Sequence, residues 1–338
     1  MGFRESFLAF LHAAEPGCRL RYAPTPSGFL HIGNALNFTL NWLVARQQGG
    51  RILLRIDDLD ADRKRPEYVA DIFESLEWLG LDWDEIPSGS MTEWMPPQPV
   101  EPWSQYQRLP LYFEVLESLR HTGLLFACQK SRRELAAFEG AYPLAFRQQM
   151  LPLDAPDVAW RIVAPPGFPL SDFVVRRRDG LPAYQVASMA DDLFFGITHI
   201  IRGADLEAST AAQQYLAEVL RTPECYSGLQ GSAPTSAQQD SAEVLRTPEG
   251  HSGLQGKSDF LKIKILHHPL ITDEQGEKLS KSKGASSLRA MRERGIGPES
   301  VFRQAAALLG LEEDCDSAGA LRQGVAEGIL KSYPPLSQ

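Results

Sequence analysis

One stretch limits what this chain can fold into. Residues 21–46, RYAPTPSGFLHIGNALNFTLNWLVAR, read as a strand, a tight loop and a helix. Residues 18–22 make a short buried strand, and Pro24, Pro26 and Gly28 stiffen the loop that follows. His31, Gly33 and Asn34 stand where a helix begins, and Leu36, Leu40, Leu43 and Val44 recur at helical spacing. A helix start beside a glycine offers backbone N–H groups and a partial positive charge, which suits a phosphate. An ordinary strand-to-helix turn has the same pattern, so the rest of the chain must decide.

The next segment repeats the theme. Residues 51–56 (RILLRI) predict a second strand, with DDLD at its end. Pro66 opens a helix whose apolar stripe is Val69, Ile72, Phe73 and Leu76, and Gly80 ends it. Strand, helix, strand, helix predicts an α/β fold with a Rossmann-like, doubly wound parallel sheet. Ligands of such sheets sit at the carboxyl ends of strands, where loops 24–31 and 57–60 fall.

A chain of 338 residues with net charge −9 is expected to be globular and a poor sequence-blind binder of nucleic acid, though a local basic surface is compatible with it. Cys18, Cys128, Cys225 and Cys315 are scattered, which predicts reduced thiols in a cytoplasmic protein. No apolar run is long enough to span a bilayer, so no membrane association is expected, and residues 1–17 predict an arm or helix rather than a signal peptide.

Further along, 87–102 reads as a loop and 108–120 as an amphipathic helix. VAWRIV and FVVRR read as strands, with Asp179-Gly180 as a hairpin turn between FVVRRR and LPAYQVA. Ser209 is placed to cap a helix reaching about residue 220. Residues 212–231 recur as 237–256 with sixteen of twenty positions identical. That duplication is expected to be a tolerated surface insertion. The predicted division is 1–106, first half of the Rossmann-like domain; 107–170, an α+β insertion; 171–283, its second half with the duplicated segment; and 284–338, a short helical C-terminal region.

The late stretch GEKLSKSKG sets Lys278, Lys281 and Lys283 among serines and glycines. A lysine-rich loop can neutralise charge developing on a polyphosphate. HIGN and KLSKS resemble the HIGH and KMSKS signatures of class I aminoacyl-tRNA synthetases. RYAPTPSGFLHIGNAL, LLRIDDLD, GLDWDE, WSQYQR, RRRDGLPAYQVASMADDLFFGITHIIRGADL and HHPLITDEQGEKLSKS follow in order. Together they resemble the glutamyl-tRNA synthetase catalytic domain, and more narrowly the glutamyl-queuosine tRNA(Asp) synthetases, which lack an anticodon-binding domain. Only 54 residues follow Gly284 (338 − 284), which favours the shorter relatives.

The resemblance implies two steps: glutamate attacks the α-phosphate of ATP, carried with Mg2+, and a tRNA hydroxyl then attacks the activated carbonyl. It implies His31, Lys278 and Lys281 as catalytic residues and Pro24, Gly28, His31, Gly33, Asn34, Lys278 and Lys281 around ATP. It implies Arg21, Thr25, Asp57, Tyr184 and Arg202 around glutamate, with Asp57 receiving the ammonium. The implied partners are L-glutamate and tRNA, foremost tRNA(Asp), for a protein expected to be a monomer.

Three positions depart from the family pattern. Asn34 replaces the second histidine of HIGH, and Asp57 is one methylene shorter than the usual glutamate. A structural zinc site of many relatives retains Cys128 and Tyr142 but has Lys130 and Phe146 at its other positions, so no zinc is expected. Lys130, Arg132 and Arg133, and one face of Arg176, Arg177 and Arg178, are candidate nucleic-acid contacts. The alternatives are a truncated glutamyl-tRNA synthetase charging tRNA(Glu), a small-molecule adenylating enzyme, and a catalytically weak tRNA-binding paralogue.

Overall fold

The computed structural model describes residues 2–60, 63–87, 101–138, 141–148, 150–221, 259–270, 287–311 and 315–332. Strands β1 (Arg19–Tyr22) and β2 (Arg51–Leu54) pair in parallel, joined by helix α2 (Ile32–Gln47). A second parallel pair, β6 (His199–Gly203) and β7 (Lys264–His268), is preceded by helix α6 (Tyr184–Phe194), and helix α7 (Glu207–Leu220) follows β6. The pairs meet where the Thr198 N–H donates to the Arg19 carbonyl and the Arg19 N–H to Thr198 Oγ1, both at 2.9 Å. The spatial order is therefore β2-β1-β6-β7. The carboxyl ends of β1 and β6 open side by side, the usual ligand position of such sheets.

Strand alternation puts a core on each face of this sheet. Leu20, Tyr22, Ile52, Leu54 and Ile201 pack with α2 and α3 (Pro66–Leu79), whereas Leu53 and Ile200 face the opposite core with α6 and α7. Gly80 ends α3 in the left-handed conformation, φ 64°, as expected of a C-terminal glycine. Helix α1 (Phe3–His12) buries Phe7, Phe10 and Leu11 in the first core. Among the described residues no helix is long and apolar enough to cross a membrane.

The middle of the chain holds helix α4 (Leu109–His121), then strands β3 (Leu125–Cys128), β4 (Ala159–Ile162) and β5 (Phe173–Arg176) in one antiparallel sheet. Helix α5 (Arg132–Ala136) lies between β3 and β4. Because β5 completes this sheet, a boundary at residue 170 would cut it. The expected hairpin is also shorter than read: Arg176 bridges Pro182, and the chain turns into α6 at Tyr184. Residues 184–187 form the first turn of α6, in which 186–192 are buried without a break.

Helix α7 starts two residues before Ser209, directly out of a 3-10 turn at Ala204–Leu206, so Ser209 lies inside the helix. The first repeat copy enters α7, and the remainder of both copies from residue 222 lies outside the described residues. Helices α8 (Leu288–Glu293), α9 (Glu299–Leu308) and α10 (Ala318–Ser332) close the chain. Val301, Phe302, Ala305, Leu321 and Val325 join the core around α2, so the C-terminal helices complete the catalytic core.

Helix α4 is tied to α6 by buried charge. Arg108 donates to Asp191 from Nε at 2.7 Å and Nη2 at 3.0 Å, and the Tyr112 hydroxyl donates to it at 2.7 Å. Burial would raise the Asp191 pKa, but the Arg108 and Arg55 charges outweigh it and hold the carboxyl below its ordinary range. A depressed carboxylate stabilises the fold above its unfolded pKa and loses that contribution as pH falls. Asp191→Ala leaves Arg108 buried without its anion and is expected to cost about 3–5 kcal/mol in denaturant unfolding. The loss should shrink below about pH 4, where the wild type also weakens.

Candidate functional site

A cavity of about 530 Å³ opens at the carboxyl ends of β1 and β6. Eight of the residues singled out in the sequence line it: Arg21, Pro24, Thr25, His31, Gly33, Asn34, Tyr184 and Arg202. They come from β1, the loop after it, the start of α2, the first residue of α6 and the end of β6. Asn37, Asp205 and His268 also line it and escaped the sequence reading. His268 ends β7 and Asp205 follows β6 by two residues, and these carboxyl-end positions are the signal that would have found them. Gly28 lies in the loop but outside the lining.

The floor is a buried charge network. Asp192 Oδ1 accepts from Arg21 Nε at 3.1 Å and from Arg55 Nη1 at 2.8 Å. Arg55 also grips Asp57, from Nε to Oδ1 at 2.7 Å and from Nη2 to Oδ2 at 3.1 Å. Both Asp57 oxygens are thus engaged, and Asp57 does not line the cavity. Asp57, expected to face the ammonium, here has its short side chain turned onto Arg55. Asp205 is the carboxylate among the described lining residues.

Arg202 is 2% exposed and bonded to a neutral partner, with Nη2 donating to Gln213 Oε1 at 2.8 Å. Its Nε and Nη1 are buried without a hydrogen-bond acceptor. Burial depresses its pKa, partly offset by the Tyr184 hydroxyl, yet a guanidinium remains charged. A buried cation with two unsatisfied donors in a cavity wall is a ready seat for a carboxylate. His268 has the complementary feature. Its Nδ1 lies 2.9 Å from the Pro269 carbonyl, so the proton sits on Nδ1 and buried Nε2 is an acceptor.

At the other wall His31 is the N-cap of α2. Its Nδ1 accepts from the Gly33 N–H at 3.1 Å, which assigns the ring proton to Nε2. Asn34 Oδ1 accepts from the His31 N–H at 3.1 Å, closing a capping box. Asn34 therefore holds His31 in place through its oxygen and keeps its amide N–H2 as a donor. A Cβ on Gly33 would lie 3.0 Å from His31 Cε1, so glycine makes room for this ring.

Lys278 and Lys281 lie outside the described residues. The chain on either side of them is anchored at the cavity: His268 and Leu270 line it, and Ser287 forms a β-bridge with His31.

In the insertion, the four positions that hold zinc in the resembled relatives converge. The Tyr142 hydroxyl donates to Cys128 Sγ at 3.1 Å, and the Lys130 ammonium lies 4.9 Å from the centre of the Phe146 ring. A protonated lysine and a phenylalanine supply no ligand, so these residues do not fit a tetrahedral zinc. Among the arginines expected to share a strand, β5 ends at Arg176. Arg176 stacks on Trp160, Arg177 donates to the Leu59 carbonyl, and Arg178 donates to the Gln129 carbonyl. The expected alternation through Arg178 is therefore absent.

Comparison with known proteins agrees with this geometry. The family model for tRNA synthetases class I (E and Q), catalytic domain, matches residues 17–145 and 154–230. A glutamyl-Q tRNA(Asp) synthetase of Parasynechococcus marenigrum is 37% identical over 88% of this chain and 85% of its own length. One from Pseudomonas aeruginosa is 35% identical over 85% of this chain and 88% of its own. A glutamate-tRNA synthetase structure from Elizabethkingia anophelis has the same fold, with TM-score 0.62 and 24% identity. It aligns with 91% of this chain, which spans 65% of that protein's length.

Gly33→Ala is expected to displace the His31 ring and lower ATP-dependent turnover about 10- to 100-fold, with melting temperature little changed. Asn34→Ala, which opens the capping box, should cost about 1 kcal/mol of stability in denaturant unfolding. Metal analysis of the purified protein should give well below one zinc per chain, and a chelator should leave its thermal transition in place.

Proposed function

The chain belongs to the class I tRNA synthetase family of the E and Q type, and from that premise we propose that it activates L-glutamate with ATP and transfers it to tRNA, most specifically to queuosine of tRNA(Asp). The observation that carries the glutamate reading is Arg202, a buried cation with two unsatisfied donors in the cavity Arg21 also lines. Arg21 is balanced by Asp192, whereas Arg202 has the neutral Gln213 carbonyl. A glutamate side-chain carboxylate supplies the anion that Arg202 lacks, and a glutamine side-chain amide would not. The ammonium then belongs on the acceptor side of the cavity, made by Asp205, the Tyr184 hydroxyl and His268 Nε2.

ATP enters with Mg2+ on its phosphates and lies against the start of α2, where His31 Nε2–H donates and the helix N-terminus favours negative charge. A glutamate carboxylate oxygen attacks the α-phosphorus. The bond from that phosphorus to the bridging oxygen breaks, and pyrophosphate leaves with its electron pair. Lys278 and Lys281, in the segment between Leu270 and Ser287, supply positive charge to the leaving phosphates. A tRNA hydroxyl then attacks the glutamyl carbonyl, loses its proton, and AMP departs. No enzyme nucleophile is needed; positioning and charge stabilisation account for the catalysis.

The tRNA(Asp) assignment rests on the names of relatives that align over nearly their whole length. Lys130 and Arg133 of the insertion and the arginines after β5 are the proposed phosphate contacts, which makes binding salt-sensitive.

Labelled glutamate and ATP, offered with tRNA(Asp) with and without queuosine and with tRNA(Glu), should label only the queuosine-containing tRNA(Asp). Labelling of tRNA(Glu) alone overturns the acceptor assignment. Glutamate-dependent ATP–pyrophosphate exchange should fall about 10²- to 10³-fold in Lys281→Ala. In Arg202→Gln, KM for glutamate should rise by at least about tenfold while KM for ATP stays put.

A further inference from the structure

Helix α3 carries an acid on its buried face that belongs to no motif. Asp71 is 1% exposed, beside Ile72, Ser75 and Leu76. Its Oδ2 accepts from the Leu30 N–H at 3.0 Å, and its Oδ1 accepts from Arg292 Nη2 at 2.7 Å. Arg292, on α8, also donates from Nη1 to Ser75 Oγ at 2.7 Å and from Nη2 to Glu74 at 3.1 Å. The Leu30 carbonyl accepts from the Leu288 N–H at 2.8 Å. The Arg289 guanidinium stacks 4.7 Å from the centre of the Phe29 ring, and Ser287 bridges His31.

Residues 29–31, which lead into the α2 cap, thus lie against residues 287–289, which lead into α8. Asp71 reaches both sides of this contact. A buried carboxylate is a costly way to fill an apolar helix face, and leucine or alanine would pack there without a desolvation penalty. What the acid adds is direction: one oxygen fixes the Leu30 peptide, one residue before His31, while the other holds Arg292.

We propose that Asp71 is a positioning residue for the nucleotide half of the site, locking the His31 cap in register with α8 through Arg292. The inference rests on the ATP-dependent reading above. It is confined to the nucleotide side because Arg21 and Arg202 are held by separate partners, Asp192 and Gln213, on α6 and α7.

The test is calorimetric binding of Mg·ATP and of glutamate to the full chain, as wild type, Asp71→Asn, Arg292→Gln and the double variant. Asparagine keeps one acceptor for Leu30 and sets its N–H2 against Arg292. Arg292 is partly exposed, so its variant tests the brace without a buried vacancy. Each single variant should weaken ATP binding about 3- to 10-fold and leave glutamate binding within about twofold. The double variant should be no worse than the weaker single, because both break one link. Parallel loss of both affinities, unchanged ATP affinity, or additive effects would overturn the inference. Wild-type protein that binds ATP yet shows no glutamate-dependent exchange would overturn the proposed function and leave this brace standing. Wild type that fails to bind ATP would overturn both.

Discussion

The site depends on an imbalance of buried charge. Beneath the cavity, Arg21, Arg55 and Arg108 meet Asp57, Asp191 and Asp192 in one connected set. These six charges join β1, the end of β2, α4 and α6. Their partners are mutual, so the set can sit in the interior at tolerable desolvation cost. Arg202 stands outside it, with Gln213 as its partner. A fold that balances three arginines and leaves a fourth with open donors has put uncompensated positive charge in the cavity wall, which is the basis of the proposed glutamate seat.

The same network explains which parts of the site could be read from the chain. Arg21, Arg202 and Tyr184 were legible through the resemblance to the synthetase motifs, and His31 also from its place at a helix start; the fold gathers all four because each sits at the carboxyl end of a strand or the start of a helix. Asp57 differs from these four in lying outside the cavity lining. Arg55 and Asp57 are two residues apart on an extended segment, so they project from one face and find each other first. That spacing was visible, but the competing pull of a substrate ammonium could be weighed only once Arg55 proved fully buried. Asp205 and His268 lie within quoted motifs but were given no role there, and the juxtaposition of β6 and β7 brings them to the cavity.

Element boundaries failed where tertiary pairing overrides local pattern. Apolar alternation in FVVRRR suggested a long arm, yet pairing with β4 ends at Arg176, and the next residues are spent on a turn. The predicted break at 170 separated a strand from its own sheet. The C-terminal helices read as an appendage because their amphipathic faces do not say what they cover. They cover α2, and so support the helix whose first turn lines the cavity.

The insertion is held to the rest of the fold by its sheet rather than by the four positions that match a zinc site. A zinc bound by four side chains contributes folding free energy on the order of 10 kcal/mol, whereas a cation–π contact contributes about 0.5–2 kcal/mol. The Lys130–Phe146 contact cannot replace a metal by strength. It adds to a three-stranded sheet whose inner residues Ala127, Trp160, Ile162, Phe173 and Val175 already join the core of α4, α6 and α7. Tyr142 and Cys128 remain bonded at the edge of that sheet, where the tyrosine ring also packs on Phe126. With its sheet fused to the catalytic core, the insertion can keep its shape without a metal to hold it, and the four positions are left to pack and to pair.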